Sequence, residues 1–282
     1  QPGWINSIAG IFPDKLIKIL SRLSGQSWWP EKKISASFHY LAIRNGYIMK
    51  RINQLDRVLV PTRLMEKMLC QNGLNKDITQ FIPFGLDLTP FEKIQPKKHN
   101  EKIVLGFIGT LTDQKGAHIL IDAVKKLPAE MALTVKIYGN LNEKPDYSAM
   151  LLKIAEGEKR IEFCGTFPND QIGSVFSGLD ALVVPSIWYE NTPLVIYSAH
   201  AAKVPVIGTN VGGISEVVHH EKNGLLFELG DSIGLSKLMK RAVEDRTLLG
   251  RLSENISMPP SISAYVDSLE EVYKDILTKK TG

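Results

Sequence analysis

Short apolar runs alternate with stretches of helical periodicity through the middle and back of the chain. Residues 102–109 are an apolar run closed by Gly109, as a buried parallel strand would be. Residues 116–127 follow as a helix with Ile119, Leu120, Ala123 and Leu127 on one face. Further strands are predicted over 133–138, 161–164, 181–185, 204–208 and 225–227. Helices are predicted over 147–155, 170–176 and 232–244, with others after Thr192 and Gly213. This order of strands and crossover helices implies a parallel sheet covered on both faces. Ligands of such sheets sit at the carboxyl ends of the strands. The loops after Ile108, Tyr138, Cys164, Val184 and Ile207 are therefore the ones to inspect.

The front of the chain is patterned differently. An amphipathic helix is predicted over 13–23, a loop over 24–33 and a long helical stretch over 38–55. A strand over 56–61 leads to Thr62, a plausible cap for a helix through Leu69. A strand over 78–83 and a turn over 84–87 follow. Two strands are too few for an independent sheet of this type. The polar stretch 95–101 reads as a linker. Near the end, Pro259-Pro260 interrupts the chain before a last helix over 261–277. The expected division is thus 1–95, 96–257 and 258–282.

Composition narrows the class. The 282 residues are 44% hydrophobic and 23% charged, ordinary for a globular protein. No apolar run approaches the roughly 20 residues of a membrane-spanning helix, and the opening Gln1-Pro2-Gly3-Trp4 does not read as a secretory leader. A net charge of +4 permits contact with anionic substrates. Nucleic-acid binding is disfavoured, because basic residues and aromatics form no common stripe. Cys70 and Cys164 lie in no metal-ligand spacing and are expected in the core. Such cysteine usage suits the cytoplasm. The 13–23 helix carries Lys15, Lys18 and Arg22 beside apolar residues, so it either touches a membrane periphery or packs on another domain.

Three loops could carry chemistry. Residues 109–116 follow a strand and open a helix, so their amides, with Lys115, could hold phosphate. The bland alternative is a surface lysine beside a turn glycine. Residues 185–194 follow another buried strand, with Thr192 suited to a helix cap, Pro193 to its first turn, and Glu190 at the mouth of the sheet. A carboxylate there can accept hydrogen bonds from sugar hydroxyls; alternatively it is an exposed loop Glu. Residues 208–216 contain Gly212-Gly213, which permits either close approach to a ligand or a plain tight turn.

Taken together, Gly109-Thr110…Lys115-Gly116, Glu190…Ser198, Val204-Pro205-Val206-Ile207 and Gly212-Gly213…Glu216 resemble the carboxyl-terminal domain of retaining GT-B glycosyltransferases of family 4. The segments 56–62 and 82–87 resemble the end of that family's first domain. The resemblance implies an α/β fold: a Rossmann-like parallel-sheet domain of GT-B type, preceded by a partial second Rossmann-like domain. It implies transfer of a sugar from a nucleotide-sugar donor to a glycan or lipid-linked acceptor with retention of configuration. No cofactor and no metal would be required.

By the same resemblance Lys115 and Glu190 carry catalysis, Lys115 facing the donor diphosphate and Glu190 the sugar hydroxyls. The donor site would comprise Gly109, Thr110, Lys115, Tyr138, Gly139, Gly165, Thr166, Phe167, Glu190, Asn191, Thr192, Pro193, Leu194 and Ser198. Two positions depart from the family pattern. Thr110 stands where an arginine binds phosphate, and Ser198 where a second glutamate binds ribose. These departures motivate an alternative, a non-catalytic nucleotide-sugar-binding module.

Overall fold

Runs of β-branched and aliphatic residues between glycines build the centre of the molecule as strands. The protein is described here by a computed structural model, over residues 44–92, 94, 102–191 and 193–281. The expected helix over 13–23, the loop over 24–33, the linker over 95–101 and Thr192 lie outside the described residues.

Two compact units emerge: Gln1–Val60 with Glu66–Gln80, and Pro61–Met65 with Phe81–Gly282. In the smaller unit a helix covers 44–52. Strands β1 (Val58–Val60) and β2 (Thr79–Phe81) form a two-stranded sheet. Helix α1 (Arg63–Gln71) lies between them in sequence, and the Met65 amide donates to Thr62 Oγ1 at 3.0 Å, the cap that the sequence suggests.

The larger unit contains a six-stranded sheet. Its strands are β3 (Ile103–Ile108), β4 (Leu133–Tyr138), β5 (Ile161–Gly165), β6 (Ala181–Val184), β7 (Val206–Thr209) and β8 (Gly224–Phe227). The order is β5-β4-β3-β6-β7-β8, with every neighbouring pair parallel. The crossover helices are α2 (Ala117–Lys125), α3 (Pro145–Ala155), α4 (Ile172–Ser177), α5 (Leu194–Ala201) and α6 (Ile214–Val217). Helices α7 (Ser232–Glu244), α8 (Leu248–Glu254) and α9 (Ile262–Thr281) complete the chain.

Alternation along the strands explains why both faces are covered. Leu105, Ala181, Val183, Ile207 and Leu225 point into one apolar cluster, shared with Leu120 of α2 and Leu235 and Met239 of α7. Leu182, Val184 and Val206 point into the other, shared with Phe176 of α4 and Ile196 and Ala199 of α5. Burial on both sides is what the near-continuous apolar runs require.

Some expectations need correction. Cys164 is exposed and Cys70 only half-buried. Strand β5 is an edge strand, along which Ile161 and Phe163 are half-buried while Glu162 and Cys164 are exposed. The strand expected over 204–208 runs from Val206 to Thr209; Pro205 has no N–H for the ladder but still accepts from the Leu182 amide at 3.0 Å. Helix α8 is seven residues long, too short for a periodic pattern to build up in the sequence. Among the described residues no helix is long and apolar enough to cross a membrane.

Candidate donor site

The strand order reverses between β3 and β6, which places a crevice at their carboxyl ends. The loop after β3 tightens into a 3-10 turn over Asp113–Lys115 and reaches Gly116 at φ 72°. A Cβ at Gly116 would lie 1.9 Å from the Pro185 carbonyl oxygen. Glycine is therefore needed twice over, for the left-handed backbone and for the contact. The contact lays the loop after β3 against the loop after β6, and the Ile187 amide donates to the Gln114 carbonyl at 2.9 Å.

Lys115 and Glu190 meet as a result. Lys115 Nζ donates to Glu190 Oε1 at 2.7 Å, although 75 residues separate them. The lysine side chain is 33% exposed and the glutamate 16%, so the pair faces a partly desolvated opening. Ser186, buried at 1% exposure, donates from Oγ to the same oxygen at 3.1 Å. Sequence reasoning did not single out Ser186. A hydroxyl four residues before the key glutamate, on the same turn, is the signal that was available.

The third loop serves as support. Gly213 N donates to the Glu190 carbonyl at 2.8 Å. Gly212 sits at φ 58°, and a Cβ there would come within 2.9 Å of that same carbonyl oxygen and 3.3 Å of Tyr189 Cα. The paired glycines thus admit the backbone of the Glu190 loop. Glu216 at the end of this segment accepts the Arg63 amide at 2.8 Å and the Leu64 amide, all three residues belonging to the larger unit.

A cavity of about 220 Å³ opens beside the pair, lined in part by Gly109, Thr110, Lys115, Ser186, Pro193 and Leu194. Pockets that enclose a drug-sized ligand run to roughly 300–1,000 Å³, so this one fits a portion of a nucleotide sugar. Pro193 is the N-cap of α5, with ψ 122°, and Leu194 is the first helical residue. The expected start is thus one residue early: Pro193 is extended, and its fixed φ of −63° suits a cap as well as a first turn. The first amides of a helix have no intrahelical acceptor, so those of Leu194 and Val195 suit an anion or a hydroxyl in the cavity that these residues line.

Backbone contacts join the neighbouring loops. Gly109 N donates to the Tyr138 carbonyl at 3.1 Å, and Gly139 N to the Gly165 carbonyl at 2.8 Å. Beside them the rings of Tyr138 and Phe167 meet edge to face, centroids 5.4 Å apart. Burial pushes the Tyr138 hydroxyl up to about 12, so it stays protonated. Thr166 and Asn191 are exposed. Ser198 is buried, and its hydroxyl turns back to donate to the Leu194 carbonyl at 3.2 Å. It stands apart from the cavity lining and is occupied within its own helix. Thr110 lines the cavity with an exposed side chain but supplies no charge.

The fold is a doubly wound α/β architecture whose parallel sheet matches those of GT-B glycosyltransferase structures. The family described as "Glycosyl transferases group 1" matches residues 89–257, more than half of the 282 residues, and the chain belongs to that family. It is 28% identical over 206 residues to the N-acetyl-alpha-D-glucosaminyl L-malate synthase of Bacillus anthracis, covering 71% of this chain and 52% of that protein. It is also 28% identical over 239 residues to the UDP-Gal:alpha-D-GlcNAc-diphosphoundecaprenol alpha-1,3-galactosyltransferase of Escherichia coli, covering 76% and 59% respectively. The chain spans about half the length of the curated relatives it matches. Among solved structures, Anabaena HepE in complex with UDP and glucose superposes with a TM-score of 0.71 at 20% identity, covering 86% of this chain and 76% of that one.

Proposed function

We propose that this chain carries the donor-binding half of a glycosyltransferase that moves a sugar from a nucleotide diphosphate to a hydroxyl acceptor. The observation that carries this reading is the meeting of Lys115 and Glu190 at the crevice between β3 and β6. A cation and a carboxylate side by side suit a ligand with an anionic half and a polyhydroxylated half. The diphosphate takes the Lys115 ammonium and the first amides of α5. The sugar hydroxyls donate to Glu190. In this reading the base lies near the loops that carry Tyr138 and Phe167, whose rings meet edge to face.

In the reaction the bond between sugar C1 and the diphosphate oxygen breaks, and its electron pair leaves with the phosphate. Negative charge grows on that oxygen, where Lys115 stabilises it most in the transition state. The acceptor oxygen forms the new bond to C1 and releases its proton to the departing phosphate or to solvent. Retention of configuration is part of this reading, by resemblance to family 4. The nucleotide sugar is a substrate, and the reading calls for no cofactor. The Escherichia coli relative, named for a UDP-Gal donor and a lipid diphosphate acceptor, and the UDP and glucose bound by HepE support a UDP-sugar and a glycan or lipid-linked acceptor.

A second reading, a binding module without turnover, draws on Thr110 and on the Ser198 hydroxyl bound to Leu194. Titration calorimetry against UDP-glucose, UDP-N-acetylglucosamine, GDP-mannose and ADP-glucose, followed by assay of nucleotide release, separates the two. Binding with release favours the enzyme, and binding without release favours the module. No binding to any of the four, or binding indifferent to both Lys115→Ala and Glu190→Gln, contradicts the site itself.

A further inference from the structure

We infer that Ser186 is a positioning residue that aims the Glu190 carboxylate and so sets how tightly the site holds the sugar part of its ligand. This rests on the donor-site reading above. Ser186 is almost fully buried and lies one residue beyond the Pro185 carbonyl that Gly116 packs against. On its other side, Ile187 N is tied to the Gln114 carbonyl at 2.9 Å. The hydroxyl is therefore carried by backbone fixed on both flanks, and the structure gives it one acceptor, Glu190 Oε1.

Both donors to Glu190 use the same oxygen. Lys115 Nζ lies 2.7 Å from Oε1 and Ser186 Oγ 3.1 Å from it, while no described residue donates to Oε2. The terminal torsion of a glutamate is soft and broad. Two donors on one oxygen remove that freedom and leave the second oxygen for an incoming hydroxyl.

The two donors differ in what happens next. Lys115 is one-third exposed on a flexible stem and is drawn towards a bound diphosphate. Ser186 cannot follow, because it is buried and its backbone is pinned. Once the anion has engaged the lysine, the Ser186 hydroxyl is the bond that keeps Glu190 aimed. Its contribution is thus felt on sugar recognition and not on nucleotide recognition.

The test compares binding of UDP, GDP and ADP with binding of the corresponding UDP-glucose, UDP-N-acetylglucosamine, GDP-mannose and ADP-glucose, by calorimetry on the whole chain. In Ser186→Ala the affinity for the free nucleotide stays within two-fold of wild type. Affinity for the preferred nucleotide sugar falls about ten-fold, the scale of one charge-assisted hydrogen bond. Ser186→Thr, which keeps the hydroxyl, restores most of the loss. In a Glu190→Gln background Ser186→Ala adds less than two-fold, because the two act through one carboxylate. Should Ser186→Ala not fold, Ser186→Cys replaces it, a thiol being a weak donor.

Equal losses for nucleotide and nucleotide sugar, or a full ten-fold loss persisting in the Glu190→Gln background, overturn the inference while the donor site stands. So does an unchanged nucleotide-sugar affinity. Wild-type protein that binds none of the nucleotide sugars overturns the donor-site reading and this inference with it.

Discussion

Two ion pairs of nearly equal length sit in this protein and differ in how many of their hydrogen bonds are already made. Glu158 and Arg160 lie just before β5, at the amino-terminal side of the sheet, with Arg160 Nη2 2.6 Å from Glu158 Oε2. The guanidinium is almost saturated: Nε donates to Glu158 Oε1 at 2.8 Å, Nη1 to the Pro128 carbonyl at 2.7 Å and Nη2 to the Val124 carbonyl at 2.9 Å. Arg160 holds the Glu158 carboxyl below the usual carboxylate range, chiefly through these hydrogen bonds. The pair ties β5 to the end of α2 and leaves nothing to offer a ligand. Lys115 and Glu190, at the carboxyl side, share one hydrogen bond of 2.7 Å and keep a carboxylate oxygen and ammonium protons in reserve. Unspent hydrogen-bonding capacity, not separation, distinguishes the pair proposed to bind from the pair that braces the fold.

Breaking each pair should therefore separate stability from binding. Arg160→Ala strands a mostly buried carboxylate and is expected to lower unfolding free energy by about 3–5 kcal/mol, read by urea denaturation, with nucleotide affinity of the folded fraction unchanged. Lys115→Ala should do the reverse. Turnover falls by about 10²–10³-fold, the scale for loss of one transition-state electrostatic partner, while the urea midpoint moves less than in Arg160→Ala, because Glu190 keeps the Ser186 hydroxyl and Lys115 donates to no backbone carbonyl among the described residues. If Lys115→Ala destabilised the fold as much as Arg160→Ala, the contrast would collapse.

A smaller effect comes from acid. His200 on α5 is 5% exposed and its Nε2 has no hydrogen-bond partner among the described residues. Burial, then His219 and Lys203, push its pKa down from 6.5 to about 4. The unfolded chain thus binds a proton from pH 6.5 downwards, and the folded chain only near pH 4. Stability is unaffected above pH 6.5 and lost as pH falls towards 4, by about 2 kcal/mol at pH 5. His200→Gln should flatten this part of the pH–stability curve. An unchanged slope between pH 6.5 and 5 would show that other groups carry the acid sensitivity.

Much of the larger unit was legible because strand signals are local. Runs such as Ile103–Ile108 and Leu133–Tyr138 are apolar, bounded by glycine and short, and they appear where expected. The meeting of Lys115 with Glu190 was legible through topology, since a parallel sheet gathers the loops at one edge whatever their separation in sequence. What failed depends on tertiary detail. The exposure of Cys164 follows from β5 being an edge strand, and strand order is not written in periodicity. Gly212-Gly213 could face ligand or backbone, and only packing shows that it faces Glu190. The Ser186 contact needs χ angles that no pattern encodes. Ser198, too short for the direct ribose contact of a glutamate, bonds within its own turn, a choice of rotamer that sequence pattern does not encode. The fold thus reads from local pattern, and the site only as far as sheet topology reaches.

A crystal structure with the nucleotide sugar that calorimetry selects shows whether Lys115 and Glu190 divide one ligand between diphosphate and sugar. A phosphate oxygen is expected within about 3 Å of Lys115 Nζ, and a sugar hydroxyl at a similar distance from the Glu190 carboxylate. A nucleotide sugar bound elsewhere, or one bound in this crevice with its diphosphate turned away from Lys115, would contradict that division.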